Sequence, residues 1–160
     1  MHVVILGSAA GGGLPQWNCR CPICSLARED SSRVTPRTQS SIAVSPDGER
    51  WLLVNASPDI RQQLFDNPAM HPREGLRHSP IHAVLLTNGD VDHVAGLLTL
   101  REGQPYTLYA TSGILDSVNA NRVFDVMAAD VVKRQTIALD ETFEPVPGLS
   151  VTLFSVPGKV

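Results

Sequence analysis

Short apolar runs, separated by stretches rich in Gly, Pro, Asn and Asp, set the rhythm of this chain. His2–Leu6 is β-branched and apolar and stops at Gly7, which predicts a buried strand feeding a glycine loop, Gly7 to Gly13. Leu14–Arg37 reads as a loop region with one helical turn after Pro22. Ser41–Ser45 and Trp51–Asn55 predict two strands joined through Pro46-Asp47-Gly48-Glu49, with Pro at the second position of a turn that Ser45 opens. Ser57 is placed to cap a helix, with Pro58 in its first position and Asp59 at the positive end of the dipole. That helix runs to Leu64 or Phe65 and turns Ile60 and Leu64 to one face.

Asn67–Pro80 is broken by prolines and Gly75 and predicts loop. Ile81–Leu86 is a strand, continuous in its apolar character except at His82, and it leads into Thr87-Asn88-Gly89-Asp90-Val91-Asp92-His93. Val94–Leu100 predicts a helix, Tyr106–Ala110 a strand, and Gly113–Asn119 a helix capped by Ser112. Val131–Leu139 and Leu149–Phe154 predict further strands. The order is that of a mixed α/β fold, with strands too short and too numerous for a simple parallel sheet. Leu149–Val160 reads as an element still in progress, so residues 1–160 are expected to be the N-terminal portion of one larger domain.

Composition narrows the picture. Of 160 residues 42% are hydrophobic but only 5% aromatic, so the core must be aliphatic. A domain of this size buries ~70% of its unfolded surface. The net charge is −3 and no basic run occurs, which argues against a nucleic-acid or anionic-membrane surface. No stretch reaches the ~20 apolar residues that span a bilayer, and the first apolar run is too short for a signal-peptide core. The expected compartment is the cytosol, without membrane insertion. Three cysteines crowded into one segment are not a disulfide framework, which agrees.

Those cysteines stand in Asn18-Cys19-Arg20-Cys21-Pro22-Ile23-Cys24. Three thiolates so close can wrap one tetrahedral cation, and zinc is the usual occupant of such structural sites. His2, His71, His78, His82 or a residue beyond Val160 are the candidates for a fourth ligand. Two other readings compete: three free buried thiols, or a redox pair at Cys21 and Cys24. A redox pair needs no Cys19.

The second cluster is Asn88, Asp90, Asp92 and His93, between a buried strand and a helix. If the segment is a loop, alternate side chains can converge on one point. Carboxylates with an imidazole suit Fe²⁺, Mn²⁺ or Zn²⁺. The ordinary reading is an Asn-Gly turn followed by an Asp that caps a helix. The glycine loop has Gly7 and Gly12 at Walker spacing, but Gly13-Leu14 replaces the required Lys and Ser/Thr. Gln16 stands where the dinucleotide fingerprint needs its third glycine. The loop therefore reads as a close turn beside a cleft, not as a nucleotide site.

Thr87, Asp92 and His93 resemble the Thr-His-x-His-x-Asp-His signature of the metallo-β-lactamase superfamily. Asn88 and Asp90 replace its two leading histidines, which help hold the first metal in that superfamily, whereas the Asp-His pair serves the second. Val4–Cys19, Arg37-Thr38-Gln39-Ser40-Ser41, Asn55-Ala56-Ser57-Pro58-Asp59 and Thr87–His93 further resemble the protein B family of pyrroloquinoline quinone (PQQ) biosynthesis. The resemblance implies an αββα sandwich, with more histidine and aspartate ligands beyond Val160. It implies a structural Zn²⁺ at Cys19, Cys21 and Cys24, and Fe²⁺ or another divalent metal at Asp90, Asp92 and His93. Asp92 and His93 would be the catalytic pair, and Asn88 would orient a water or substrate group. The activity expected is a metal-dependent oxygenase that hydroxylates the tyrosine of a Glu-Tyr dipeptide precursor. The alternative is a carrier that binds PQQ or a precursor and assists its transfer to the periplasm. A third is plain hydrolysis, as in most of the superfamily.

Overall fold

The computed structural model describes residues 1–157; the last three residues of the segment expected to be an unfinished element, 158–160, lie outside the described residues. Eight strands form two sheets. The larger contains β1 (His2–Gly7), β2 (Ser41–Ser45), β3 (Trp51–Val54), β4 (Ile81–Leu85), β5 (Tyr106–Ala110) and β6 (Val132–Thr136), in that spatial order. β1, β2 and β3 are antiparallel neighbours, whereas β3 to β6 are parallel. The smaller sheet is the antiparallel pair β7 (Thr142–Val146) and β8 (Leu149–Thr152).

Each face of the large sheet has its own core. On one lie α2 (Ile60–Asp66) and α4 (Ser112–Ala120), with 3₁₀ helices at Ala95–Arg101 and Arg122–Val126. Ile60, Leu97, Leu115, Val118 and Phe124 from these elements pack on Leu53, Val84 and Leu108 of the strands. On the other face Val146 and Leu149 of the β7–β8 pair bury Leu52, Ala83, Leu85 and Tyr109. The layers therefore run helix, sheet, sheet, as expected of an αββα sandwich. Aliphatic residues dominate both cores. No helix among the described residues is long and apolar enough to cross a membrane.

Several elements differ from the sequence reading. β1 is not buried: it is the edge of the sheet, and Val3 and Ile5 are exposed while Leu6 is covered. The single turn after Pro22 is a two-turn helix, α1 (Pro22–Glu29), because Cys21 caps it, Pro22 suits its first turn and Cys24 and Ala27 are buried. α2 starts at Ile60 with Asp59 in the cap position, and the Ser57 hydroxyl bonds the Gln63 side chain instead of capping. α4 begins one residue earlier than expected, after Thr111. β7 was not foreseen, because Pro145 cannot donate to a strand ladder. Its register shifts between Phe143 and Val146, and the irregularity absorbs Glu144 and Pro145.

The helix after the central motif also differs. A short helix α3 (Val91–Val94) precedes the 3₁₀ turn Ala95–Arg101, so Asp92 and His93 are helical and not part of a loop. Asp90 is the cap residue, and its carbonyl accepts from the amides of His93 and Val94. Gly96 lets the Ala56–Ser57 backbone pack against this turn. Its N–H donates to the Ala56 carbonyl at 2.9 Å, and a Cβ there would stand 2.2 Å from the Ser57 carbonyl oxygen.

Candidate metal centre

β1, β3 and β4 all point the same way, and their C-terminal ends carry the motif residues. β1 ends in the glycine loop. β3 leads into Asn55, which adopts a left-handed φ of 62° and is buried. β4 ends at Leu85 and leads through Leu86 to Thr87. Asn55 clamps the two strand ends together. Its Oδ1 accepts from the Thr87 amide at 2.9 Å, and its Nδ2 lies 2.9 Å from the Thr87 Oγ1. The Ser41 hydroxyl donates to the Asn55 carbonyl at 2.8 Å.

The glycine loop is zipped to a second segment. Ser8 and Ala9 donate to the Thr38 carbonyl, Ser40 donates to Ala9, and Leu14 and Arg37 exchange backbone bonds. Gln63, almost fully buried, donates to Thr38 Oγ1 at 3.0 Å and to the Gln39 carbonyl at 2.7 Å. The Asp59 carboxylate accepts from the Gln39 amide at 2.9 Å and from its side chain at 3.1 Å. Glycine is required at position 7. A Cβ there would come within 2.1 Å of the Gln39 carbonyl and 2.5 Å of the Gln63 amide.

Asp92 and His93 meet at the centre of this arrangement, with the Asp92 Oδ1 3.1 Å from the His93 Nδ1. That nitrogen is buried and lacks an aligned hydrogen bond, a condition that metal coordination would relieve. Gly11 backs the other carboxylate oxygen: a Cβ on Gly11 would lie 3.1 Å from Asp92 Oδ2. Asp90 does not join the pair. Three donors close enough to share one ion occur, among the described residues, only at the cysteines. Asp90 precedes the helix Val91–Val94 as its cap residue, with its carbonyl taken by the His93 and Val94 amides, whereas Asp92 and His93 are neighbours within the helix. The Asn88 side chain accepts from the Asp90 amide at 2.9 Å, an Asx turn that starts the helix. The turn reading of this segment thus holds for Asn88 and Asp90. Asp92 and His93 fit a divalent ion as two of its donors.

Asn88 and Asp90 face a cleft of about 850 Å³. Thr87, Thr111 and Thr152 give it polar walls, and Ile114, Leu139 and Phe154 give it apolar ones. It opens beyond the C-terminal ends of parallel strands, where α/β sheets place their ligands.

The cysteines form the second centre. The three sulfurs lie within 4.8 Å of one another, as ligands around one tetrahedral zinc require. Cys21 caps α1 and accepts from the Cys24 amide at 3.4 Å. That bond, helped by the Cys19 and Cys24 side chains, holds the Cys21 thiol below its ordinary pKa and favours the thiolate. Cys24 goes the other way. A hydrogen bond from the Gln16 backbone lowers it, but burial and the neighbouring Cys19 and Cys21 thiols outweigh that. Arg28, in the last turn of α1, braces the loop from behind. Its guanidinium donates to the carbonyls of Gln16 and Cys19, the latter at 2.6 Å.

None of the four histidines considered as a fourth ligand joins the sulfurs. His2 lies against Trp51, and His82 bonds the Pro80 carbonyl near the start of β4, at the opposite end of the sheet. His71 bonds the Phe65 carbonyl and His78 the Arg73 amide. Asn55, Gln39 and Gln63 have no individual role in the sequence reading, and Asp59 has only that of a residue at a helix start. A polar residue ending an apolar run, as Asn55 does, was the available signal.

Comparison with known proteins agrees with this fold. The family described as "Beta-lactamase superfamily domain" matches residues 50–160. The chain is 89% identical over its full length to "Coenzyme PQQ synthesis protein B" of Methylorubrum extorquens, covering 54% of that protein. The protein of the same description from Rhizobium meliloti is 56% identical over the whole chain, which covers 52% of it. The chain thus spans about half the length of the curated relatives it matches. Among solved structures, "Zn(2+)-bound PqqB from Methylobacterium extorquens" superposes with a TM-score of 0.96 at 88% identity, over 98% of this chain and 56% of that one. "A New Diphosphatase from the PhnP Family" superposes with a TM-score of 0.72 at 25% identity, over 92% of this chain and 54% of that one. The chain belongs to the beta-lactamase superfamily.

Proposed function

We propose that the protein acts in PQQ biosynthesis, as a metal-dependent oxygenase that hydroxylates the tyrosine of a Glu-Tyr precursor. End-to-end identity of 89% with a coenzyme PQQ synthesis protein B carries the pathway. The oxygenase reading rests on the donor set. Asn88 and Asp90 stand where the superfamily signature has histidines, so two imidazoles that a dinuclear zinc site would use are missing, which favours a single redox metal with open positions. Asp92 and His93 would hold that metal, and iron when bound supplies the dioxygen chemistry. The chain's own part is to bind and orient. The half-apolar, half-polar cleft accepts an aromatic ring bearing polar groups. Asn88 orients a water or a substrate group at its mouth. Cys19, Cys21 and Cys24 would carry a structural zinc that fixes the loop between the glycines and α1.

One observation favours a second reading, a carrier of PQQ or its precursor: Asp90 stands apart from Asp92 and His93, which leaves two donors here. Anaerobic metal analysis separates the two. Iron that supports dioxygen uptake with a Glu-Tyr dipeptide, and is lost in His93→Ala, supports the oxygenase. Zinc confined to the cysteines, with tight quinone binding and no dioxygen uptake, supports the carrier and refutes the oxygenase.

A further inference from the structure

The glycine loop approaches the candidate metal pair at Gly11, where an added Cβ would lie 3.1 Å from Asp92 Oδ2. Backbone bonds hold both ends of the loop, at Ser8, Ala9 and Leu14. Its middle is held by a side chain. Gln39 Oε1 accepts from the Gly12 amide at 3.3 Å, while the Gln39 Nε2 donates to Asp59 Oδ2 at 3.1 Å. Asp59 is fixed in turn, because the same oxygen accepts the Gln39 backbone amide at 2.9 Å. Glutamine suits this bridge. It needs an acceptor toward the loop and a donor toward a carboxylate, at the spacing of one amide group. A glutamate there would offer no donor and would set two negative charges side by side. Gly12 itself has a φ of +97°, so the turn it makes is one that only glycine adopts freely.

We propose that Gln39 is a positioning residue for Asp92: by tying the Gly12 amide to Asp59, it holds the loop as a wall behind the Asp92 carboxylate. Asp92 is then confined between Gly11 on one oxygen and His93 on the other. Confinement keeps one rotamer available for an incoming divalent ion, whose affinity depends on donors already in place. The proposal rests on the reading of Asp92 and His93 as metal donors.

Cobalt(II) is the probe. Its thiolate charge-transfer bands report the cysteine site, and its weak visible bands report the Asp92–His93 site. Gln39→Leu keeps the side-chain bulk and removes the bridge. Cobalt affinity at Asp92–His93 is expected to fall about tenfold, the worth of one hydrogen bond, with the thiolate bands unchanged. Gly11→Ala pushes directly on Asp92, so in that background Gln39→Leu should add little, since both act through one contact. Unchanged affinity in Gln39→Leu overturns the proposal. So does an equal loss at both sites, which marks a merely structural role, or a fully additive double variant. If the wild-type protein shows thiolate bands alone, the metal reading of Asp92–His93 fails instead. Hydrogen exchange at the Gly12 amide then judges Gln39: faster exchange in Gln39→Leu supports the bridge, and unchanged exchange refutes it.

Discussion

Replacing Asn55 tests whether the strand ends beneath the candidate site are locked by one side chain. Asn55→Ala removes its bonds to the Thr87 amide and hydroxyl. Two hydrogen bonds at about 1 kcal/mol each give roughly 2 kcal/mol. Alanine must also adopt the positive φ of 62°, which asparagine tolerates and which costs an alanine about 1 kcal/mol more. The expected loss is therefore about 3 kcal/mol, a large share of the ~5–15 kcal/mol that holds a domain folded. Asn55→Gly loses the bonds but not the backbone fit, so it should cost about 2 kcal/mol. Asn55→Asp keeps the acceptor for the Thr87 amide and should cost less than either. Urea unfolding gives the order directly, provided the slope of free energy against urea stays constant. An Asn55→Ala protein within 1 kcal/mol of wild type, or one no less stable than Asn55→Gly, would refute the reasoning.

Cys21→Ser should lose about one zinc per chain and melt lower, since a ligand bound to the folded state stabilises it by mass action; unchanged zinc content and melting would contradict the structural site. Gly7→Ala should destabilise by about 1–3 kcal/mol or more, because the new methyl meets backbone and a buried amide at 2.1 and 2.5 Å. Gly113→Ala, with open space around its Cβ in the first turn of α4, should instead stabilise by about 0.5–1 kcal/mol; chemical denaturation of the pair checks both signs. Burial pushes the Tyr106 phenol up to about 12 from its ordinary 10.0. The unfolded chain therefore releases this proton first, so the contribution is complete below pH 10 and is lost between pH 10 and 12. The loss is on the order of 3 kcal/mol. Tyr106→Phe should flatten that alkaline limb in melting curves taken against pH, and an unchanged limb would assign it to another group.

Patterns that are local in sequence were readable. The hairpin of β2 and β3, the parallel strands β4 and β5, and the three-cysteine cluster each announce themselves within a few residues. β7 was hidden by Pro145, whose meaning depends on a bulge that exists only once β8 is paired. The extent of α1 was masked by the cysteines and polar residues around it, although Pro22 and Cys21 hold its cap. At the site, Asp92 and His93 could be named from their motif. Their surroundings could not, because Gln39 reaches Asp59 across 20 positions and Asn55 reaches Thr87 across 32. No periodicity records such pairings. The close approach of the Ala56–Ser57 backbone to Gly96, across some 40 positions, is likewise unrecorded in any local pattern.

The Arg28 brace has a consequence for the rate at which a metal enters the cysteine loop. Its bonds to the Gln16 and Cys19 carbonyls do not involve sulfur, so losing a metal does not in itself remove them. The loop is thus bent into shape by the far end of the helix that its own Cys21 begins. A binding site that must first fold around its ion captures it slowly and loses coordination and structure together. Here the ordering cost falls on α1 and Arg28 before the ion arrives, so capture should be fast and exchange between ions should leave the backbone in place.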